Sequence, residues 1–178
     1  IQTIIEKLMV RIFEENMGIT LQIPFARMDY DEAMNKYGCD KPDLRFDLFL
    51  NDASKYFVNT NFKVFANTLA AKDAIKYIIV DKLFTKEQIE TLKKYAKDNK
   101  AFDLISLSLE NNEVKGQLHK VIENETIKQI FADHNIKEGT ILLIAGNKDI
   151  VNQALGAVRN VVGEMLNLKD PNKYCFVW

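Results

Sequence analysis

Between Tyr37 and Phe46 the sequence Tyr37-Gly38-Cys39-Asp40-Lys41-Pro42-Asp43-Leu44-Arg45-Phe46 leaves the backbone few options. Gly38 can take a positive φ and end a helix, while Pro42 fixes its own φ and drives Lys41 out of the α region, so the chain must turn here. The charges of Asp40, Lys41, Asp43 and Arg45 can pair locally or reach across to another domain. Upstream the pattern is helical; downstream it mixes strands and helices, which makes the stretch a junction. Taken alone, the decapeptide also fits a solvated proline turn.

On the upstream side, Ile1, Ile4, Ile5, Leu8, Met9, Ile12 and Phe13 fall on one face of a helix that Gly18 ends, with Glu6, Lys7, Arg11, Glu14 and Glu15 opposite. So wide a stripe needs a second surface to cover it. A shorter helix runs from Tyr30 or Asp31 to Tyr37, with Asp29 as N-cap and Glu32 in the capping-box position. Past Asn51, Phe62-Lys63-Val64-Phe65 alternates as a half-buried strand, the glycine-poor stretch from Ala66 to Asp73 reads as a loop, and Ala74 to Val80 as the next strand. Thr85-Lys86-Glu87-Gln88 is a capping box opening a helix through Ile89, Leu92 and Ala96 to near Asn99. Ile105, Leu107 and Leu109 make an alternating strand, turned at Asn111-Asn112 into Val114 and Leu118. A helix from near Asn124 carries Ile127, Ile130 and Phe131, and Thr140 to Ala145 reads as a central strand covered on both sides. From Asn147 as N-cap, Ile150, Val151, Ala154, Leu155, Val158, Val161, Val162, Met165 and Leu166 form one continuous stripe that should lie along the sheet.

The composition suits an ordinary core: 178 residues, 47% of them hydrophobic. With 24 Lys and Arg against 25 Asp and Glu, no overall basic field draws in nucleic acid, so any such contact must be local. Cys39 and Cys175 have neither metal-ligand spacing nor the density of a disulfide scaffold, which points to a reducing, cytoplasmic setting. Apolar runs such as Ile141 to Ala145 fall far short of the roughly 20 residues a membrane span needs. Ile1 opens in mid-pattern, so a longer parent polypeptide is expected.

Two apparent sites fail on inspection. Asn147-Lys148-Asp149 after an apolar strand imitates a guanine-reading motif, but Asp149 directly follows Lys148 and no phosphate-cradling GxxxxGK[ST] loop is present. His119 and His134 have no partner at ligand spacing, and no Ser/His/Asp arrangement can be assembled. The candidates that remain are cationic. Lys93, Lys94, Lys97 and Lys100 share the exposed side of one helix, and Lys115 and Lys120 flank the turn near Gly116. They read as a solvated face or as a patch contacting RNA phosphates without reading sequence. Few aromatic residues interleave with them, which disfavours single-strand stacking.

The wider segment Pro24 to Phe46 resembles the bacterial-type aspartyl-tRNA synthetase pattern PFPRMTYxEAMxRYGSDKPDLRF, departing at Ala26 and Cys39, where the family has Pro and Ser. Within it Gly38, Asp40, Lys41, Asp43 and Arg45 form the junction signature. In that family the segment lies between the second catalytic motif and an insert called the GAD domain. Phe62-Lys63-Val64-Phe65, Thr85 to Ile89, Lys115-Gly116, Gly139 to Leu142 and above all Val151 to Arg159 resemble that insert. Tyr174-Cys175-Phe176-Val177-Trp178 resembles the strand that re-enters the catalytic sheet. The resemblance implies an α+β fold: a two-layer insert with a mainly antiparallel four-stranded sheet and helices on one face, beside a flanking helical segment of a class II catalytic domain. Its boundaries would be 1–50 for the flanking segment, 51–170 for the insert and 171–178 for the return strand. It further implies a parent enzyme that joins aspartate to tRNA through an aspartyl-adenylate, using ATP and Mg2+. The second and third class II motifs are absent, so the chain alone is expected to be inactive, with no cofactor, metal or catalytic residue of its own. Expected partners are the rest of the synthetase, a homodimer mate and tRNA(Asp), with no membrane. Two further readings stay open: a module bracing the catalytic domain or dimer, and a piece of a tRNA-dependent amidotransferase subunit.

Overall fold

The computed structural model describes residues 1–116, 118 and 121–178. Its elements are α1 (Gln2–Met17), α2 (Tyr30–Tyr37), β1 (Asn51–Asp52), a 3-10 turn (Ser54–Tyr56), α3 (Lys63–Ala70), β2 (Ala74–Val80), α4 (Lys86–Asp98), β3 (Ile105–Glu110), β4 (Glu113–Gly116), α5 (Asn124–Asp133), β5 (Gly139–Gly146) and α6 (Lys148–Met165). The α+β class holds. The sheet has five strands rather than four, in the order β1-β2-β5-β3-β4, and every neighbouring pair is antiparallel. The additional strand is the two-residue edge β1, too short to leave an alternating pattern; it sets Asn51 against Tyr77 and Asp52 against Lys76.

Helices cover both faces of this sheet, where the resemblance implied one. On one side Ile78, Val80, Leu142 and Ile144 pack with Leu92 and Ala96 of α4 and with Val151, Leu155, Val158 and Val162 of α6. On the other, Ile75, Tyr77, Leu107, Ile141 and Leu143 pack with Phe65 of α3 and Ile127, Ile130 and Phe131 of α5. The cause lies in the central strands, whose residues are apolar on both faces; all seven positions of β2 are buried. The expected burial of Thr140 to Ala145 from both sides is met in β5.

Phe62 to Phe65 is not a strand. It opens α3, because Phe62, Phe65 and Leu69 recur at helical spacing, a period that four residues cannot separate from alternation. Phe65 is fully buried whereas Val64 is half exposed. The expected loop from Ala66 to Asp73 is helical as far as Ala70, which accounts for its lack of glycine, and only its last three residues turn into β2.

Other local expectations hold. Thr85 and Gln88 close their capping box reciprocally, and the Asn147 side chain accepts from the Asp149 and Ile150 amides. Asn111 and Asn112 both take positive φ in the β3–β4 turn, as a two-residue hairpin requires. Gly18 and Gly38 end α1 and α2 in the left-handed conformation. Asp29 stands at the N-cap of α2 but makes no side-chain capping bond, so that box does not form.

Candidate functional site

The turning segment after α2 lies along α6, and three positions spaced along that helix make this possible. Gly38 takes φ +77°, and a Cβ there would overlap the Asn152 carbonyl oxygen and come within 2.7 Å of the Gly156 Cα. A Cβ on Gly156 would sit 2.7 Å from the Gly38 oxygen. The two backbones cross in direct contact because neither residue has a side chain. One turn on, Arg159 is fully buried. Its Nε donates to the Leu48 carbonyl, and its Nη2 donates to the Asp43 and Phe46 carbonyls at 2.9 and 3.0 Å. The Phe46 and Tyr37 rings face the guanidinium at 4.0 and 5.0 Å. Further along, Gly163 leaves room for the Phe46 ring.

Burial lowers the Arg159 pKa, opposed mainly by the nearby negative charge of Asp43. A guanidinium stays protonated under such a shift, so this is a buried charge satisfied by carbonyl dipoles and ring faces. Of the junction signature, Asp43 and Arg45 pair locally at 2.7 Å, and the Arg45 side-chain hydrogen bond holds the Asp43 carboxyl down at about 2. Asp40 and Lys41 are exposed and form no ion pair among the described residues. The junction therefore depends on Gly38 and on backbone carbonyls rather than on its four charges. The role of Arg159 is not apparent in the sequence, although an arginine inside an apolar stripe, with Gly156 and Gly163 on the same face, is a signal of close approach.

The chain's two ends meet beside α1. Met28 N–H donates to the Trp178 carbonyl and Trp178 N–H to the Ala26 carbonyl, both at 2.9 Å, around a parallel bridge between Ala26 and Val177. Buried Glu6 accepts from the Phe25 amide at 3.1 Å and from Trp178 Nε1–H at 2.8 Å. Around this point Phe25 stacks on Phe176, and Phe13 meets Tyr174 and Phe176 edge to face. The rest of the α1 stripe is bare: Ile4 is 72% exposed, and Leu8 and Ile12 are about half exposed.

The described cationic candidates lie on two elements. Lys93, Lys94 and Lys97 lie along α4, with Lys93 paired to Glu90, whereas Lys115 lies on the edge strand β4 and pairs with Glu110. Lys120 and His119 lie outside the described residues. His134 packs against Tyr77, its Nε2 hydrogen-bonded to the phenol at 2.8 Å, and burial lowers its pKa. Beside it Tyr56 donates to Asp133 at 2.6 Å; burial pushes the Tyr56 phenol up to about 12, and that hydrogen bond is the first cause holding Asp133 at about 2. Burial raises the Tyr77 phenol too, so both tyrosines are kept protonated, which suits a structural network. Among the described residues no three His, Cys, Asp or Glu side chains converge to hold a metal ion, and no helix is long and apolar enough to cross a membrane.

The chain belongs to the class II tRNA synthetases (D, K and N), whose family model matches residues 1–145. Within that class it is similar to the aspartate–tRNA ligase of Ureaplasma parvum, at 42% identity over 100% of this chain and 31% of that protein. The aspartate–tRNA ligase of Malacoplasma penetrans is 37% identical over 100% of this chain and 31% of its own length. The aspartate–tRNA(Asp/Asn) ligase of Hydrogenobaculum sp. is 38% identical, with 100% and 30% covered. The chain therefore spans about a third of the curated relatives it matches.

Proposed function

We propose that this chain is a non-catalytic part of an aspartate–tRNA ligase that braces the catalytic domain. The parent would ligate L-aspartate to tRNA with ATP and Mg2+, and residues 51–170 would be the insert, with 1–50 and 171–178 its attachments. The observation that carries the reading is the Arg159 guanidinium held by the carbonyls of Asp43, Phe46 and Leu48. A helix of the insert unit thereby fixes the path of the flanking segment, as a brace must. The bare apolar face of α1 supports a neighbouring surface supplied by the rest of the ligase. The amidotransferase alternative is weaker, since all the relatives named above are aspartate–tRNA ligases.

The test has two parts. The 178-residue chain should catalyse no aspartate-dependent ATP–pyrophosphate exchange. In the full-length parent, Arg159→Met should lower aspartyl-tRNA formation, while the surface change Lys86→Gln should not. Exchange by the chain alone, or full activity in the Arg159 variant, contradicts the proposal. A second reading, direct contact with tRNA(Asp), is favoured by the exposed lysines Lys94, Lys97 and Lys100, which form no ion pair among the described residues.

A further inference from the structure

At one end of the sheet, between α2, the start of β2 and the start of α6, lies a groove of about 540 Å³. Its lining includes Lys36, Lys72, Lys76 and Lys148. Only 5% of Lys76 is exposed. Its Nζ donates to the Asn35 carbonyl at 3.0 Å, to Asn35 Oδ1 at 3.2 Å and to Asn152 Oδ1 at 2.7 Å, so its hydrogen bonds are met but none of its partners carries charge. A buried ammonium ordinarily sits beside a carboxylate, because neutral acceptors offset only part of its lost hydration. Lys36, Lys72 and Lys148 also form no ion pair among the described residues. Lys36 Nζ instead lies over the Phe49 ring at 4.7 Å.

Carboxylates are close by but make no ion pair with these lysines among the described residues, although Asp52 faces Lys76 across the β1–β2 pair and its charge favours the ammonium. Glu32, Asp52 and Asp73 line the same groove, and Asp52 accepts from the Ser54 amide at 2.7 Å. The result is a concave surface on which four lysines meet three carboxylates and none of these lysines is in an ion pair among the described residues. Such an arrangement leaves a net positive field for an external anion.

We infer that this groove binds a phosphate group, through Lys36, Lys72 and Lys148 at its rim with buried Lys76 adding charge from behind. Lysine suits this task as a compact point charge that tolerates varied approach angles. The phosphate can come from an RNA backbone or from a free polyphosphate, which present the same chemistry. The inference goes beyond the bracing role and does not depend on it. It also locates anion binding away from the lysines of α4.

The test uses the 178-residue chain, 15N-labelled, titrated at low and near-physiological salt with inorganic pyrophosphate and, separately, with a tRNA transcript. Either probe should shift the amides of Lys36, Lys72 and Lys148, and the effect should weaken with salt. Lys72→Gln combined with Lys148→Gln, both at exposed positions, should weaken binding about tenfold or more, the double loss of nearby charge expected of a phosphate contact. Lys94→Gln combined with Lys97→Gln should leave the pyrophosphate-induced shifts of the groove amides unchanged. A tRNA that still moves the groove amides at near-physiological salt and is released by pyrophosphate identifies the RNA backbone as the source, and shifts with pyrophosphate but none with tRNA identify a free polyphosphate. The inference is overturned if neither probe moves the groove amides, or if the α4 variant loses binding and the groove variant keeps it.

Discussion

The Gly38 carbonyl oxygen lies 2.7 Å from where a Cβ on Gly156 would stand, so the end of α2 and the middle of α6 touch backbone to backbone. Contact this close cannot be relieved by rotating a side chain. It fixes the angle at which the flanking segment leaves the sheet-bearing unit.

Gly156→Ala should therefore destabilise the chain by about 1–3 kcal/mol, the usual range for overpacking a core. Gly38→Ala should cost more, because it adds a left-handed backbone strain to the same collision. Urea unfolding of the two variants, compared at equal slope, measures both effects.

Arg159→Met keeps the apolar stem but leaves the Asp43, Phe46 and Leu48 carbonyls without their donor. A loss of about 2–4 kcal/mol is expected, since unsatisfied buried acceptors cost more than their bonds contribute. Arg159→Lys should fall between, because one ammonium lacks the planar fork that reaches separate carbonyls. Thermal and urea unfolding of the three proteins should rank them in that order.

Stability should fall as the pH drops from about 7 toward 5. Burial holds the His134 pKa below its ordinary 6.5, so the unfolded chain takes up the proton first. The contribution is present above about 6.5 and is lost as the pH falls through the folded value. His134→Gln should flatten this slope when unfolding is followed across the range. Asp43 follows the same sign lower down, between 3.8 and about 2. Its pair with Arg45 is partly exposed, so Asp43→Asn should change stability by less than about 1 kcal/mol.

The two sides of α1 should behave differently. Leu8→Lys and Ile4→Lys fall on the bare stripe and should leave the Tm of the chain nearly unchanged in thermal unfolding. Phe13→Ala removes the ring that meets Tyr174 and Phe176 at 5.2 and 5.3 Å, and should lower the Tm by several degrees.

Long periodic elements were legible in the sequence. The stripe of α6, its Asn147 cap and the Thr85–Gln88 box depend on local spacing, and local spacing suffices to set them. The start of α3 was not, because Phe62 to Phe65 satisfies both periods and only the packing of Phe65 decides between them. The two-sided cover of the sheet was only half visible: β5 suggested it, but nothing in the sequence says which helices share a face. The junction turn was plain from Gly38 and Pro42, whereas its anchor was not. Asp43 and Arg45 attract attention as charges, yet the buried bonds go to main-chain carbonyls that any residue supplies. The groove lysines stayed hidden for a similar reason: Lys36, Lys76 and Lys148 are far apart in the chain and come together only when α2, β2 and α6 meet.

Amide hydrogen exchange tests most directly whether the junction and α6 form one brace. The Gly38 and Leu50 amides donate to the Met34 and Lys36 carbonyls within the flanking segment, and Val158 reports on the middle of α6. A rigid brace predicts that Gly38, Leu50 and Val158 exchange through one opening of similar free energy, and that Arg159→Met releases the first two while Val158 stays more protected. Fast exchange at Gly38 and Leu50 in the unaltered chain, with Val158 protected, would contradict the account: the junction would then open freely on a stable sheet and brace nothing.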